Sequence, residues 1–135
     1  MSITIEELQN EYNGLLQRAR PIPHVYRFLT ERSDDGTPHV EIIGDEYHFV
    51  STERGLDLFR KSFGSKDEIL YEMIALDTFW TGVDFEFKNR IESLDCRRMI
   101  FAKQLELLNL IDPEWGRRRA AEIEKTLVEN PYSDS

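Results

Sequence analysis

Residues 39–50 alternate between apolar and polar side chains on either side of Gly44-Asp45, and this pattern restricts the fold more than any other feature. Glycine in the first position of a two-residue loop is typical of a type II′ hairpin turn. Counting outward from the turn predicts an apolar sheet face that carries Val40, Ile42, Tyr47 and Phe49. The opposite face, which we expect to meet water or a partner, carries His39, Glu41, Glu46 and His48.

Helical patterns lie on both sides of this hairpin, so we predict an α+β fold in one domain over residues 1–135. Thr4 and Glu7 form a capping box at the start of the first helix. The predicted parts, in chain order, are an N-terminal helix in 1–20, a three- to four-stranded antiparallel β-meander in 24–63, three packed α-helices in 65–130 and a tail in 131–135.

The boundaries of the three later helices follow from local signals. Ser65 with Glu68 predicts the start of one helix. A longer helix is expected from Arg90, while the conformation of residues 82–89 stays open. Asp112 followed by Pro113 is typical of an N-cap with proline in the first helical position, so the last helix should start there.

The negative charge of the chain is concentrated in one segment. Residues 31–57 contain eight acidic and two basic residues, which accounts for −6 of the net charge of −9. A concentration of this kind predicts a negative surface that binds a basic protein, and it argues against nucleic acid and anionic membranes as partners. The expected partner contacts are Asp34, Asp35, Glu41, Asp45, Glu46 and His48.

Targeting signals and cysteine usage favour the cytoplasm. The chain has no stretch of about 18 apolar residues, and its first residues lack the basic and then apolar order of a signal peptide. Its one cysteine, Cys96, cannot form an internal disulfide bond, which is typical of a reducing compartment. We expect Cys96 to be a small core residue of a helix.

The sequence gives little evidence for a catalytic site or a metal-binding site. His39, Glu41 and His48 are residue types found in iron and zinc sites, but a solvated strand face with a Glu–His pair explains them better. A Gly-rich phosphate loop, a Gly-x-Ser-x-Gly motif and a Cys–His pair at a telling spacing are all missing from the sequence. We therefore predict no enzyme activity, metal or cofactor.

Several arginines are expected to form salt bridges or hydrogen bonds with acceptor groups. Arg98 falls among apolar residues of the predicted helix, where an unpaired charge is costly. We expect Arg97 and Arg98 to form internal salt bridges, with Asp77, Asp84 or Glu53 as candidate acceptors, and the same interpretation applies to Arg54 and Arg90. The alternative is an anchor for a phosphate or a partner carboxylate. Arg117-Arg118-Arg119 is flanked by glutamates, and helical Glu–Arg pairs explain it better than nucleic-acid binding.

Six segments occur in an order that resembles a known family. They are Tyr47-His48-Phe49-Val50, Glu53-Arg54-Gly55, Asn89-Arg90-Ile91-Glu92, Asp95-Cys96-Arg97-Arg98 with Phe101, Gln104-Leu105-Glu106-Leu107-Leu108, and Pro113-Glu114-Trp115. The chain, over residues 37–131, resembles the immunity protein 63 family of bacterial polymorphic toxin systems. The Glu-Arg-Gly and Asp-x-Arg-Arg elements carry most of the resemblance.

The resemblance implies a small non-catalytic protein that binds a toxin, such as a nuclease, and protects the cell that makes it. It implies a fold role for the shared residues Glu53, Arg54, Gly55, Arg90, Arg97, Arg98 and Trp115, since toxin contacts must vary. Two alternatives stay open: an interaction domain unrelated to toxins, whose acidic segment serves solubility, and a small metal-dependent enzyme that uses His39, Glu41 and His48.

Overall fold

The computed structural model describes residues 4–19 and 35–135, and it confirms the α+β fold class. Within these residues, one helix precedes three antiparallel strands, and three helices follow them. The elements are α1 (Ile5–Leu16) with a 3₁₀ turn (Gln17–Ala19), β1 (Asp35–Ile43), β2 (Glu46–Glu53), β3 (Leu56–Phe63), α2 (Lys66–Lys88), α3 (Cys96–Ile111) and α4 (Pro113–Glu129). The predicted strand that begins near residue 24 lies outside the described residues.

The capping signals at the starts of α1, α2 and α4 act as predicted. The Thr4 hydroxyl accepts a hydrogen bond of 3.1 Å from the Glu7 amide. The Ser65 hydroxyl accepts one of 3.2 Å from the Glu68 amide. At α4 the Asp112 carboxylate accepts one of 2.9 Å from the Glu114 amide. Each bond satisfies an amide that the first helical turn leaves without a partner.

The sheet has the order β1-β2-β3, and the predicted register of the β1–β2 hairpin is confirmed. Ile43 pairs with Glu46 and Glu41 pairs with His48. Gly44 has a φ of 61°, the left-handed value that the first residue of a type II′ turn requires. Glycine alone adopts this conformation without a steric cost, so the turn sequence determines the pairing.

The prediction that the polar hairpin face meets water or a partner is wrong at His39, whereas Glu46 on the same face is exposed. The side chain of His39 is only 2% exposed, and Val50 and Thr52, which share its face, are fully buried. Residues 49–52 of β2 are therefore buried on both faces of the sheet. Alternation identifies which side chains share a face, but burial depends on elements from elsewhere in the chain.

The described residues divide into two compact units. The first contains residues 4–14 and 35–73, and the second contains residues 15–19 and 74–135. Buried residues of the first unit include Leu8, Tyr12, Val40, Tyr47, Phe49, Val50, Ile69, Leu70 and Met73. In the second unit Ile100, Phe101 and Ile123 form a buried cluster, with Phe79, Val83, Leu105, Leu127 and Tyr132 packed against it.

Helix boundaries in the second unit differ from the prediction at one place. Residues 82–88 continue α2, and α3 begins at Cys96 instead of near Arg90. The Asp95 carboxylate caps α3 by accepting a hydrogen bond of 2.9 Å from the Arg97 amide. Cys96 is exposed at the first turn, so the prediction that it is a core residue is also wrong.

Helices α2 and α3 approach closely at Gly82. A Cβ atom added there would lie 2.7 Å from the backbone oxygen of Ile100, closer than real Cβ contacts allow. Close to this crossing, the buried Gln104 of α3 donates a hydrogen bond of 2.8 Å to the Ala75 oxygen and accepts one of 2.9 Å from Arg119 of α4. The three helices of the unit are thus joined through one buried amide.

Candidate functional site

The polar residues of the predicted docking face form a connected network within the first unit. His39 Nε2 lies 2.6 Å from a carboxylate oxygen of Glu41, and a guanidinium nitrogen of Arg60 lies 3.3 Å from the other. The same nitrogen donates to His48 Nδ1 at 2.9 Å. Because a guanidinium group only donates, His48 Nδ1 must accept, and its proton then lies on Nε2.

Arg60 compensates two of the acidic residues on this face. Its Nε lies 3.0 Å from a carboxylate oxygen of Asp57, in addition to the contact with Glu41. The hydrogen bond from His39, with that from Arg60, holds the pKa of Glu41 below its ordinary value against the opposing effect of burial. Glu41 is therefore a negative charge that is already compensated, and it contributes little to the field outside the protein.

Sequence reasoning did not find Arg60 as a partner of the hairpin residues. Its position opposite Val50 in the β2–β3 register places it on the same face as Glu41 and His48. That register could be counted from the Arg54-Gly55 turn only after Leu56–Phe63 was known to be a strand. The β2–β3 bulge at Ser51/Thr52 also shifts the count by one residue, so simple counting from the turn would put Arg60 on the wrong face.

The geometry of the two histidines does not favour metal binding. His48 Nδ1 is occupied by Arg60, and His39 Nε2 is occupied by Glu41. Within the described ranges, no group of three His, Cys, Asp or Glu residues is arranged to hold a metal ion. His39 Nδ1 and His48 Nε2 are buried and have no hydrogen-bond partner in the part of the chain that the structure describes.

The acidic segment separates into two groups at opposite ends of β2. Asp45 and Glu46 are exposed at the β1–β2 turn. Asp35 pairs with Glu53 at the other end of the strand, and both are exposed. Seven residue steps of extended chain separate Glu46 from Glu53, or about 23 Å. This spacing exceeds the Debye length of about 8 Å at physiological salt, so the two groups act as separate lobes. Asp34 lies outside the described residues.

The Glu53-Arg54-Gly55 element forms the β2–β3 turn. Arg54 has a φ of 53° and Gly55 a φ of 78°, so both central residues are left-handed, as a type I′ hairpin turn requires. Arg54 is the only non-glycine residue with positive φ in the described part of the chain. This turn sets where β3 begins, and Arg54 itself is exposed beside Glu53.

The Asp-x-Arg-Arg element binds the C-terminal segment of the chain. Arg97 donates hydrogen bonds of 2.9 Å and 2.8 Å to the backbone oxygens of Asn130 and Pro131, and it also contacts Asp95. Arg98 binds the carboxylate of Asp134 with distances of 2.9 and 3.1 Å. The predicted acceptors Asp77, Asp84 and Glu53 are therefore wrong for both arginines, and Arg98 is largely exposed instead of lying among apolar residues.

Residues 131–135 are packed against the start of α3. The Ser133 amide donates to the Asp95 carboxylate at 2.9 Å, and the Asp95 amide donates to Asp134 at 2.7 Å. The Tyr132 ring lies 4.2 Å from the guanidinium carbon of Arg98. Hydrogen bonds from Arg97 lower the pKa of Asp95 strongly, and those from Arg98 lower the pKa of Asp134.

Arg90 and Trp115, the other residues shared with the resembled family, also make contacts within the protein. Arg90 donates two hydrogen bonds, of 3.1 and 3.0 Å, to the carboxylate of Glu86, whose side chain is buried. Trp115 is buried in the first turns of α4. The role of Gln104 as a bridge between three helices was missed, and a lone amide in an apolar helix pattern was its only signal.

A family model described as Immunity protein 63 matches residues 44–125, which run from the β1–β2 turn into α4. No curated protein and no solved structure gives a significant match. In the described ranges, no helix is long and apolar enough to cross a membrane. Because the match covers more than half of the chain, the protein belongs to the Immunity protein 63 family.

Proposed function

We propose that this protein binds a cognate bacterial toxin domain in the cytoplasm and neutralises it without catalysing a reaction. The family match over residues 44–125 is the observation that carries this proposal. That match includes two strands of the sheet and the helices that follow, so it concerns the body of the fold and not one short motif. Inhibition by binding needs a complementary surface and no catalytic group.

The acidic lobes are the proposed binding surface for the toxin. Asp45 and Glu46 in one lobe, and Asp35 in the other, are exposed, and Asp34 adjoins the second lobe in sequence. A negative surface speeds the encounter with a basic partner and disfavours acidic ones. A nuclease domain fits this requirement, because a protein that binds nucleic acid presents basic residues.

Glu41 and His48 have a different place in the proposal. Both lie in the network centred on Arg60, which contacts a carboxylate oxygen of Glu41 and donates to His48 Nδ1. We propose that Glu41 and His48 mainly hold the β1–β2 hairpin and β3 in position. Only the exposed atoms of this network would contact the toxin directly. The lobes at the turns then provide most of the long-range attraction.

The proposal is tested by co-expression with the toxin encoded beside this gene, followed by measurement of toxin activity and of binding rates. Wild-type protein should abolish toxin activity. The variant Asp34→Lys, Asp35→Lys, Asp45→Lys, Glu46→Lys should keep its fold but associate at least about tenfold more slowly at low salt. The matched control reverses four exposed charges elsewhere, Glu6, Glu92, Glu124 and Glu129, with the same change in net charge.

The possible outcomes distinguish the toxin-neutralising role of the protein from the position of its binding surface. Failure of the wild-type protein to bind or inhibit the toxin would reject the toxin-neutralising role. Equal association rates for the hairpin variant and the control variant would instead remove the acidic lobes from the interface. An absence of any toxin gene next to this one would favour an interaction domain unrelated to toxins.

A further inference from the structure

Strand β3 exposes large apolar side chains that the fold does not bury. Leu56 is 71% exposed, Leu58 58% and Phe59 41%. Every residue from Leu56 to Ser62 is exposed, although residues 49–52 of the adjacent β2 are buried on both faces. In the described sheet β3 pairs only with β2, so it is an edge strand there. An apolar edge of this kind promotes aggregation unless a partner covers it.

A β-bulge gives Leu58 its position. Ser51 pairs with Phe59 and Thr52 pairs with Asp57, which leaves Leu58 as the extra residue of β3. A bulge re-aims a side chain and bends the strand locally. Phe59 lies close to Phe49, with ring centroids 6.0 Å apart, so part of its ring packs inside the first unit. Leu56 and Leu58 are more exposed than Phe59.

The positive charges of β3 are compensated inside the first unit. Arg60 pairs with Asp57 and Glu41 at 3.0 and 3.3 Å, and Lys61 pairs with Glu72 at 3.2 Å. They therefore repel a basic partner only weakly. At the β2–β3 turn, Arg54 is exposed beside the acidic residues Glu53 and Asp35.

The acidic lobes lie near the two ends of this apolar strand. Leu56 pairs with Glu53, which belongs to one lobe, and Phe63 pairs with Tyr47, which follows the Asp45–Glu46 lobe. A basic partner that approaches from the β3 side of the sheet and contacts both lobes therefore crosses β3. Its apolar residues would then cover Leu56, Leu58 and Phe59.

We propose that β3 is the anchor of the toxin interface, with Leu56, Leu58 and Phe59 packed into an apolar groove that has basic residues at both ends. This inference rests on the proposed function and adds which residues control the association rate and which control the dissociation rate. The acidic lobes set the association rate, and the apolar side chains set the dissociation rate. A few well-packed, desolvated side chains carry most of the energy of an interface, while complementary charges around them provide selectivity.

Binding kinetics of the full chain with the purified cognate toxin domain test the proposal. The variant Leu56→Ser, Leu58→Ser should raise the dissociation rate at least about tenfold and change the association rate by less than about threefold. The control Leu110→Ser, Val128→Ser removes apolar side chains that are 59% and 78% exposed on α3 and α4. It should leave both rates unchanged. Circular dichroism and Tm check that both variants are folded.

Each result has one meaning. Wild-type protein that neither binds nor inhibits the toxin rejects the proposed function and this inference with it. Tight wild-type binding with equal dissociation rates for both variants rejects only the anchor role of β3. Faster dissociation of the control variant alone places the interface on the helices. If light scattering shows a dimer that the β3 variant dissociates without any loss of toxin binding, then a second copy occupies the strand and the inference is overturned.

Discussion

The guanidinium group of Arg98 donates hydrogen bonds to both carboxylate oxygens of Asp134, which lies 36 residues further along the chain. The distances are 3.1 Å from Nε to each oxygen, and a further bond of 2.9 Å comes from the terminal nitrogen. Two-pronged arginine–carboxylate pairs combine charge with defined geometry. The last residues of the chain are therefore part of the second unit, and the Asp-x-Arg-Arg element is the reason.

Asp134→Asn should lower the Tm at neutral pH by a few degrees, because the amide cannot accept hydrogen bonds from both arms of Arg98. Thermal unfolding followed by circular dichroism measures the effect. Glu129→Gln, which also removes one negative charge close to the C-terminus, is the control and should leave the Tm unchanged. An unchanged Tm in Asp134→Asn would mean that the C-terminal segment adds nothing to stability.

Acid should destabilise the second unit through Asp95 and Asp134. Both carboxylates have pKa values below the ordinary 3.8, so at pH values between the folded and unfolded pKa the unfolded chain binds more protons. Their stabilising contribution is complete above about pH 4 and is lost as the pH falls through the folded pKa. Tm measured from pH 7 to pH 2.5 should fall less steeply in Asp134→Asn than in wild type. Parallel curves would contradict this assignment.

Glu41→Gln should lower the free energy of unfolding by about 1 kcal/mol, a value reduced for the partial exposure of the carboxylate. The amide retains its shape but loses the charge that pairs with Arg60 and with the buried His39. Urea denaturation measures the change. Glu46→Gln on the same sheet face should stay within about 0.5 kcal/mol of wild type, since its side chain is largely exposed. Equal effects of the two substitutions would show that the network is not stabilising.

Gly82→Ala should destabilise the protein by roughly 1–3 kcal/mol, because the added methyl group meets backbone at the α2–α3 crossing and the helices must separate. Gly116→Ala is the matched control within a helix. The atoms nearest to its methyl group belong to the side-chain amide of Asn109, which is exposed and can rotate. The gain in helix propensity, about 1 kcal/mol, should offset that rearrangement. Chemical denaturation of both variants tests the contrast, and a loss at Gly116 as large as that at Gly82 would refute it.

Local sequence signals predicted those parts of the fold in which neighbouring residues decide the conformation. Gly44 determines the turn and with it the β1–β2 register, because few residues adopt its backbone conformation. Thr4, Ser65 and Asp112 mark helix starts, since each side chain satisfies an amide two or three residues away. The start of α3 was missed because Ile91 and Leu94 continue a helical pattern in a segment that is not helical.

Burial and long-range pairing needed the tertiary structure. Alternation placed His39 on the polar face, but His39 is buried while Glu46 on that face is exposed. Composition showed one acidic segment, yet the antiparallel strands send its residues to opposite ends of the sheet. The sequence by itself determined the fold class, the hairpin and the family. Only the tertiary structure decided which charges are compensated, which apolar strand is exposed and where the C-terminal segment binds, because these depend on residues that are far apart in the chain.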